Sequence, residues 1–447
     1  MRYIPNATPE ERASMLATLG LSTIAELFRG IPEDLKLQRP LNLPPAASEA
    51  ELTALFESLA GQNILPRASF LGAGVYDHVR PLIIDTLVSR SEFYTSYTPY
   101  QPEINQGTLQ AIFEYQTFIC QLTGMDVSNA SMYDGATALA EAMLMAVRLT
   151  NRYRVIMSAG VHPEYQAVCE TYARRAGLEL VIAPLAEDGT TAPVEALIND
   201  AVACVAVQSP NFFGCIEDVA PVAEAARKHK ALTVVAVAEA MSLGVLAPPG
   251  EVGADVVVGE GQSLGIPPSF GGPHLGFFAA REQFARQMPG RLIGQAYDAE
   301  GNRGFVITLA TREQHIRREK ATSNICSNEG LCALVAAIFL STVGRRGFQE
   351  LATRNIQKAA YLKNALAALP GFELVYRAPV FNEFVVRTPA PAAQIVDELL
   401  AEGILAGLPL SRYFPERTHE LLVCATENTT RAAMDDFAAK LARYSVG

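Results

Sequence analysis

Between residues 67 and 325, short apolar runs alternate with helical stretches, and this alternation constrains the fold more than any other feature. Arg154–Ser158, Leu178–Ala183, Ala201–Gln208, Leu232–Ala238 and Ala254–Val258 are runs rich in Val, Ile, Leu and Ala. Pro163–Ala176, ended by Gly177, and Val219–Lys230, with cations at its C-terminal end, read as helices between them. The runs are continuous rather than alternating, so each strand is expected to be buried on both faces. That pattern predicts the α/β class, with a mostly parallel, doubly wound sheet covered by helices.

The flanks read differently. Residues 1–66 form a helical arm rather than a domain. Thr8-Pro9-Glu10-Glu11 carries an N-cap, a Pro at the first helical position and acids in the first turn. Ser48-Glu49-Ala50-Glu51 is a capping box, and Leu41–Pro45 between the two starts is extended. Residues 67–325 form the large α/β domain. Residues 326–447 form a small C-terminal α+β domain. It opens with a long apolar helix (Glu329–Gly344) and a second helix (Gln349–Leu369). Strands near Phe372–Tyr376 and Glu383–Arg387, a helix at Ala392–Glu402, a strand at Glu420–Ala425 and a closing helix at Thr430–Tyr444 follow.

Charge and cysteine usage narrow the function classes. The 447-residue chain has a net charge of −11, against the basic surface a nucleic-acid binder needs. Its seven cysteines include no Cys-x-x-Cys pair and lie mostly in apolar runs, as expected of reduced thiols. Cys326, beside a basic segment, is read as a quiet structural thiol. Apolar runs such as Leu331–Leu340 are about half the ~20 residues of a membrane span. No signal peptide is apparent at the N-terminus. The expectation is a cytoplasmic protein with no membrane and no nucleic-acid partner.

Several short motifs carry chemistry on paper. Gly261-Gln262-Ser263-Leu264-Gly265 matches the nucleophile elbow, but the Pro- and Gly-rich stretch after it cannot form the required helix. The six histidines form no metal-ligand motif, and no metal is expected. The start of a helix at Gly135-Ala136-Thr137 would suit a phosphate, though an ordinary helix cap explains it as well. Arg312–Lys320 packs four cations into nine residues and leads into Ala321-Thr322-Ser323-Asn324. This segment suits a phosphate or carboxylate, or else is a solvated helix face with local Glu313 and Glu319 pairs. Glu92–Gln106 is an aromatic loop with Pro breaks, in which Tyr97, Tyr100, Gln101 and Glu103 could line a pocket or a subunit interface.

Ser96–Glu103, Asn129–Thr137, Gly259–Gly272 and Thr311–Cys326 together resemble the P-protein of the glycine cleavage system, glycine dehydrogenase (decarboxylating). The resemblance covers nearly the whole chain. At 447 residues it is similar to the separate N-terminal subunit, subunit 1, of the two-subunit form. It implies a fold type I, PLP-dependent transferase-like architecture. It also implies a reaction in which glycine and a lipoylated H-protein give an aminomethyl-lipoyl carrier and CO2. The cofactor would be pyridoxal 5'-phosphate. The partners would be subunit 2, with two copies of each subunit, and the H-protein.

The lysines then become informative. There are seven, and none lies between Lys230 and Lys320. The family's catalytic half reads His-Lys-Thr where this chain has Gly261-Gln262-Ser263. Gln262 therefore stands where a Schiff-base lysine would be, and an amide forms no imine. The strand Leu232–Ala238 lacks the carboxylate that would pair with a pyridinium nitrogen; the nearest acid is Glu239. The resemblance thus implies a chain that completes its partner's site, with the lysine on subunit 2. Arg318, Thr322 and Ser323 would lie near the phosphate or the substrate carboxylate, flanked by Lys320 and Asn324. Tyr97 and Tyr100 would wall the ring or the lipoyl entrance, beside Gln101 and Glu103. His315 is the candidate general acid or base. The alternatives are a self-sufficient enzyme using Lys320 and a purely structural partner of subunit 2.

Overall fold

The computed structural model describes residues 8–325 and 327–445, so Cys326 lies outside the described residues. The chain divides into two units, Met1–Ile64 and Leu65–Gly447. In the first, helices α1 (Pro9–Thr18) and α2 (Glu49–Ala60) each start with a capping box, at Thr8 with Glu11 and at Ser48 with Glu51. Among its described residues only Leu16 is buried.

The second unit is built on a seven-stranded sheet. Its strands are β1 (Val127–Ser128), β2 (Arg154–Ser158), β3 (Glu179–Ala183), β4 (Val202–Gln208), β5 (Leu232–Val237), β6 (Val256–Glu260) and β7 (Gly276–Ala280). The spatial order is β1-β7-β6-β5-β4-β2-β3. Neighbours from β6 through β3 pair in parallel, whereas β7 runs antiparallel to both β6 and β1. Side chains alternate between the two faces of each strand. Val205, Val235 and Val257 enter one core with Tyr115 and Ile119 of α3 (Gln106–Thr123). Ala206, Ala236 and Val258 enter a second core with Leu139 and Met143 of α4 (Gly135–Thr150). Helices α5 (Pro163–Ala176) and α6 (Val219–Lys228) complete the covering layers.

One feature departs from the sequence expectation. Leu292–Tyr297 (β8) and Arg303–Thr308 (β9) form an antiparallel hairpin where the sequence pattern predicts no element. The two C-terminal helices lie end to end as expected, together spanning α7 (Gly330–Ala367), and are separated by a kink at Gly344 with φ 59° and ψ 179°. That backbone region is essentially reserved for glycine. By length and composition α7 passes as a membrane span, contrary to the shorter runs expected. It is nonetheless a core helix, burying Ala333 and Phe339 under the large sheet and Leu362 and Leu366 in the C-terminal core.

The C-terminal sheet contains β10 (Glu373–Leu374), β11 (Glu383–Arg387), β12 (Leu408–Pro409) and β13 (Glu420–Cys424), in the antiparallel order β10-β11-β13-β12. Helices α8 (Ala392–Leu400) and α9 (Arg431–Leu441) cover it. Phe70 joins this core, stacked on Phe437 at 4.1 Å. The segment after Phe70 then leads from the C-terminal core to the C-terminal ends of the parallel strands.

Candidate functional site

Ligands of open α/β sheets bind at the C-terminal ends of the parallel strands. Here that region is filled by the chain itself. Gln262, just after β6, is buried, and its amide is fully engaged. Its Oε1 accepts from the Tyr76 N–H at 2.9 Å. Its Nε2 donates to the carbonyls of Tyr76 at 3.0 Å and Ile266 at 2.6 Å. Ser263 is equally committed, its hydroxyl donating to Glu239 at 2.6 Å inside the core. A buried, bonded hydroxyl is the opposite of a nucleophile raised on an elbow.

Glu239, at the end of β5, sits in the same cluster. Its Oε1 accepts from Ser263 and from the Met241 N–H; its Oε2 accepts from Asn382 and faces His78 Nε2 at 2.9 Å. The other ring nitrogen of His78 meets Glu427 at 2.8 Å. Burial alone would push this imidazole down, but the two carboxylates outweigh it and hold its pKa at about 10. His78 is therefore an imidazolium clamped between two buried acids. Next to it, burial raises Glu383 to about 7, where it accepts from Tyr76 Oη at 2.7 Å.

The start of α4 is closed as well. Asp134 caps it through the Thr137 N–H at 2.7 Å, and the Gly135 N–H donates to Glu260 at 3.2 Å. Two carboxylates occupy a helix end that would otherwise attract a phosphate. A Cβ on Gly135 would lie 2.2 Å from the Tyr165 hydroxyl, so the approach is also crowded. The side chains of Gln262, Ser263 and Glu239 and the N–H groups of Gly135 and Thr137, which this cradle could turn toward pyridoxal phosphate, are answered within the chain. The residues present do not fit that cofactor.

A second constellation lies on the surface. Tyr100 is exposed, and its hydroxyl accepts from Arg291 Nη2 at 3.0 Å. Arg291 is itself 2 % exposed. Its Nη1 reaches Thr98 Oγ1 at 3.3 Å, and its Nε faces Glu313 Oε2 at 3.3 Å. The same Glu313 oxygen lies 3.6 Å from His315 Nδ1. The structure thus gathers the aromatic loop and the basic segment around one guanidinium. Arg312 fixes the basic segment from below by donating to the carbonyls of Met288 and Gly290. Asn129 donates to Pro289 O, and the Ala130 N–H donates to Arg291 O, which ties in a third motif.

The chain as a whole is similar to known proteins. The profile of the glycine cleavage system P-protein family matches residues 1–441. The chain belongs to that family. It is 51 % identical over 448 residues to the probable glycine dehydrogenase (decarboxylating) subunit 1 of Anoxybacillus flavithermus, covering 99 % of each chain. It is 52 % identical over 440 residues to that of Carboxydothermus hydrogenoformans, covering 98 % of each. A crystal structure of an inhibitor-bound glycine decarboxylase (P-protein) superposes with a TM-score of 0.90 at 42 % identity, over 99 % of this chain and 100 % of that one. The glutamate decarboxylase of Lactobacillus brevis shares only the fold, with a TM-score of 0.69 at 14 % identity over 95 % of this chain and 96 % of that one. The fold is the PLP-dependent type I architecture that the sequence predicts, and the chain is a P-protein subunit of the subunit 1 type.

The remaining candidates of this P-protein chain can now be placed. Tyr97 is exposed, and its hydroxyl bonds Ser327 at 3.0 Å, at the lip of a cleft of about 250 Å³. Gln101 and Glu103 are exposed on the loop ahead of α3, where the Gln101 carbonyl accepts from Asn105. Thr322 donates its N–H to Arg312 O, Ser323 Oγ accepts from the Ile325 N–H, and Asn324 Oδ1 accepts from Gln314. Arg317, Arg318 and Lys320 make no ion pair among the described residues. The segment is not one helix. A four-residue turn, Gln314–Arg317, breaks into Arg318, whose φ is +54°. Glu313 turns inward to Arg291 and His315 instead of neutralising these cations. Arg291 is the residue that sequence reasoning missed. It stands alone in Pro289-Gly290-Arg291-Leu292, and nothing nearby marks it as functional.

Proposed function

We propose that this chain completes a pyridoxal-phosphate site whose Schiff-base lysine belongs to subunit 2. The pair would then release CO2 from glycine and pass the aminomethyl group to a lipoylated H-protein. The observation that carries this reading is the closed cradle around Gln262, together with exposed Arg317, Arg318 and Lys320, which make no ion pair among the described residues. A chain that had kept its own cofactor would not commit Gln262, Ser263 and Glu239 to one another and to its own backbone.

In this reading each group has a task set by its chemistry. Arg318, with Lys320 beside it, supplies positive charge for a carboxylate or phosphate, and Thr322 and Ser323 supply hydroxyl donors. Tyr97 and Tyr100 wall the site and exclude water. Gln101, Glu103 and Asn324 frame the edges of the two segments. His315, its Nδ1 turned toward Glu313, keeps Nε2 for proton exchange. The assembly would hold two copies of each subunit and work in the cytoplasm.

The test is glycine–CO2 exchange in the reconstituted two-subunit complex with the H-protein. Tyr100→Ala and Arg318→Ala are expected to lower turnover at least tenfold while assembly is unchanged. Unchanged turnover would leave the chain a purely structural partner. An absorbance of a lysine imine in the isolated chain with PLP, abolished by Lys320→Ala, would make it self-sufficient.

A further inference from the structure

The proposed function gives roles to exposed residues on two segments about two hundred positions apart in the chain. Neither segment is regular structure. Residues 96–103 form a loop, and residues 311–325 contain only short turns. Loops hold a reactive geometry only when something rigid fixes them. Among the described residues, no hydrogen bond or ion pair joins these two segments directly. They meet through Arg291.

The guanidinium is well suited to this task. It starts from the rigid entrance to β8, where the Arg291 carbonyl accepts from Ala130 at 2.8 Å. Its planar fork presents donors in three directions. One nitrogen meets Thr98, one meets the Tyr100 hydroxyl, and Nε faces Glu313. The guanidinium carbon also lies 5.2 Å from the centre of the Tyr100 ring. Thr98 and Tyr100 are partly or largely exposed, yet the arginine between them is buried. A buried charge is tolerated when it is paired, and the pairing fixes the geometry of both partners. Glu313, so held, is in turn the carboxylate nearest to His315.

We propose that Arg291 is a positioning residue, which sets Tyr100 and His315 in one fixed relation on the face this chain offers to its partner's cofactor. The inference rests on the proposed function and deepens it. A lysine could not take the place of Arg291. An ammonium has donors on one compact nitrogen only, and cannot bond both Thr98 and Tyr100 while facing Glu313 from a separate nitrogen as the planar guanidinium does.

The test is a double-mutant cycle in the reconstituted complex, read as kcat for glycine–CO2 exchange. Tyr100→Phe removes the hydroxyl that the fork grips, and Arg291→Lys removes the fork while keeping the charge. Each is expected to lower kcat about tenfold, with subunit assembly and Tm nearly unchanged. The double variant is expected to be no worse than the poorer single variant, because both break the same contact. Multiplying losses would overturn the proposal, since a general weakening of the fold gives independent effects. If Tyr100→Ala lowers exchange and Arg291→Lys does not, this inference alone fails. If Tyr100→Ala leaves exchange intact, the proposed function fails and takes the inference with it. Should Arg291→Lys not assemble, Glu313→Gln paired with Tyr100→Phe runs the same cycle through the other end of the guanidinium. Non-additive losses there support the positioning role, and multiplying losses overturn it.

Discussion

At the scale of single residues, the polar groups after the parallel strands are committed to holding the chain's own structure. Gln262 is now a backbone clamp. Gln262→Leu leaves the Tyr76 and Ile266 groups unpaired in the core and should cost about 1–3 kcal/mol for each, measured by chemical denaturation. The His78 clamp makes a pH-dependent prediction. Its folded pKa, about 10, lies above the ordinary 6.5, so folding strengthens its hold on the proton. That stabilisation is fully present below pH 6.5 and is lost as pH rises through about 10. Glu383, raised to about 7, acts with the same sign, its contribution fading as pH rises from 4.5 through 7. His78→Gln should cost about 3–5 kcal/mol near pH 6, by analogy with other broken buried pairs. In paired melting curves the gap to the native chain should narrow toward pH 10. A gap that is flat with pH would contradict a charged His78. These clusters are hard to see in the sequence for a plain reason. His78 meets Glu239 and Glu427 across 161 and 349 positions, and Arg291 meets Thr98 across 193. No local period marks such pairs, whereas Gln262 stands out in the sequence only through the family resemblance, which implies a lysine in its place in the catalytic half.

At the scale of elements, what was legible follows burial. Strands β2, β4 and β5 are continuous apolar runs because helices cover both faces, and their limits in the sequence and the structure agree within a residue or two. The hairpin β8–β9 was not legible. It alternates buried and exposed residues only in part, and its Gly, Gln and Arg positions dilute the pattern. The kink in α7 is legible in the sequence as the boundary between two helices, because Gly344 stops helical backbone geometry. No atom lies within 4 Å of a Cβ at Gly344, so crowding is not the issue. Gly344→Ala should therefore act through the backbone alone, costing about 1–3 kcal/mol by denaturation. A neutral or stabilising effect would show that the kink is not required.

At the scale of the whole molecule, a type I fold carries a closed, internally bonded polar cluster at the C-terminal ends of its parallel strands. The sheet, the crossover helices and the C-terminal sheet match a P-protein crystal structure over nearly the full chain. Carboxylates close the start of α4, and His78 lies against Glu239 just after β5. In the proposed function the catalytic contribution of this chain comes from residues 96–103 and 311–324, which Arg291 gathers. The most direct measurement of this division of labour is glycine–CO2 exchange by this chain alone, by subunit 2 alone and by the mixture, each with PLP and the lipoylated carrier. The account predicts exchange only from the mixture. Exchange by this chain alone would contradict it.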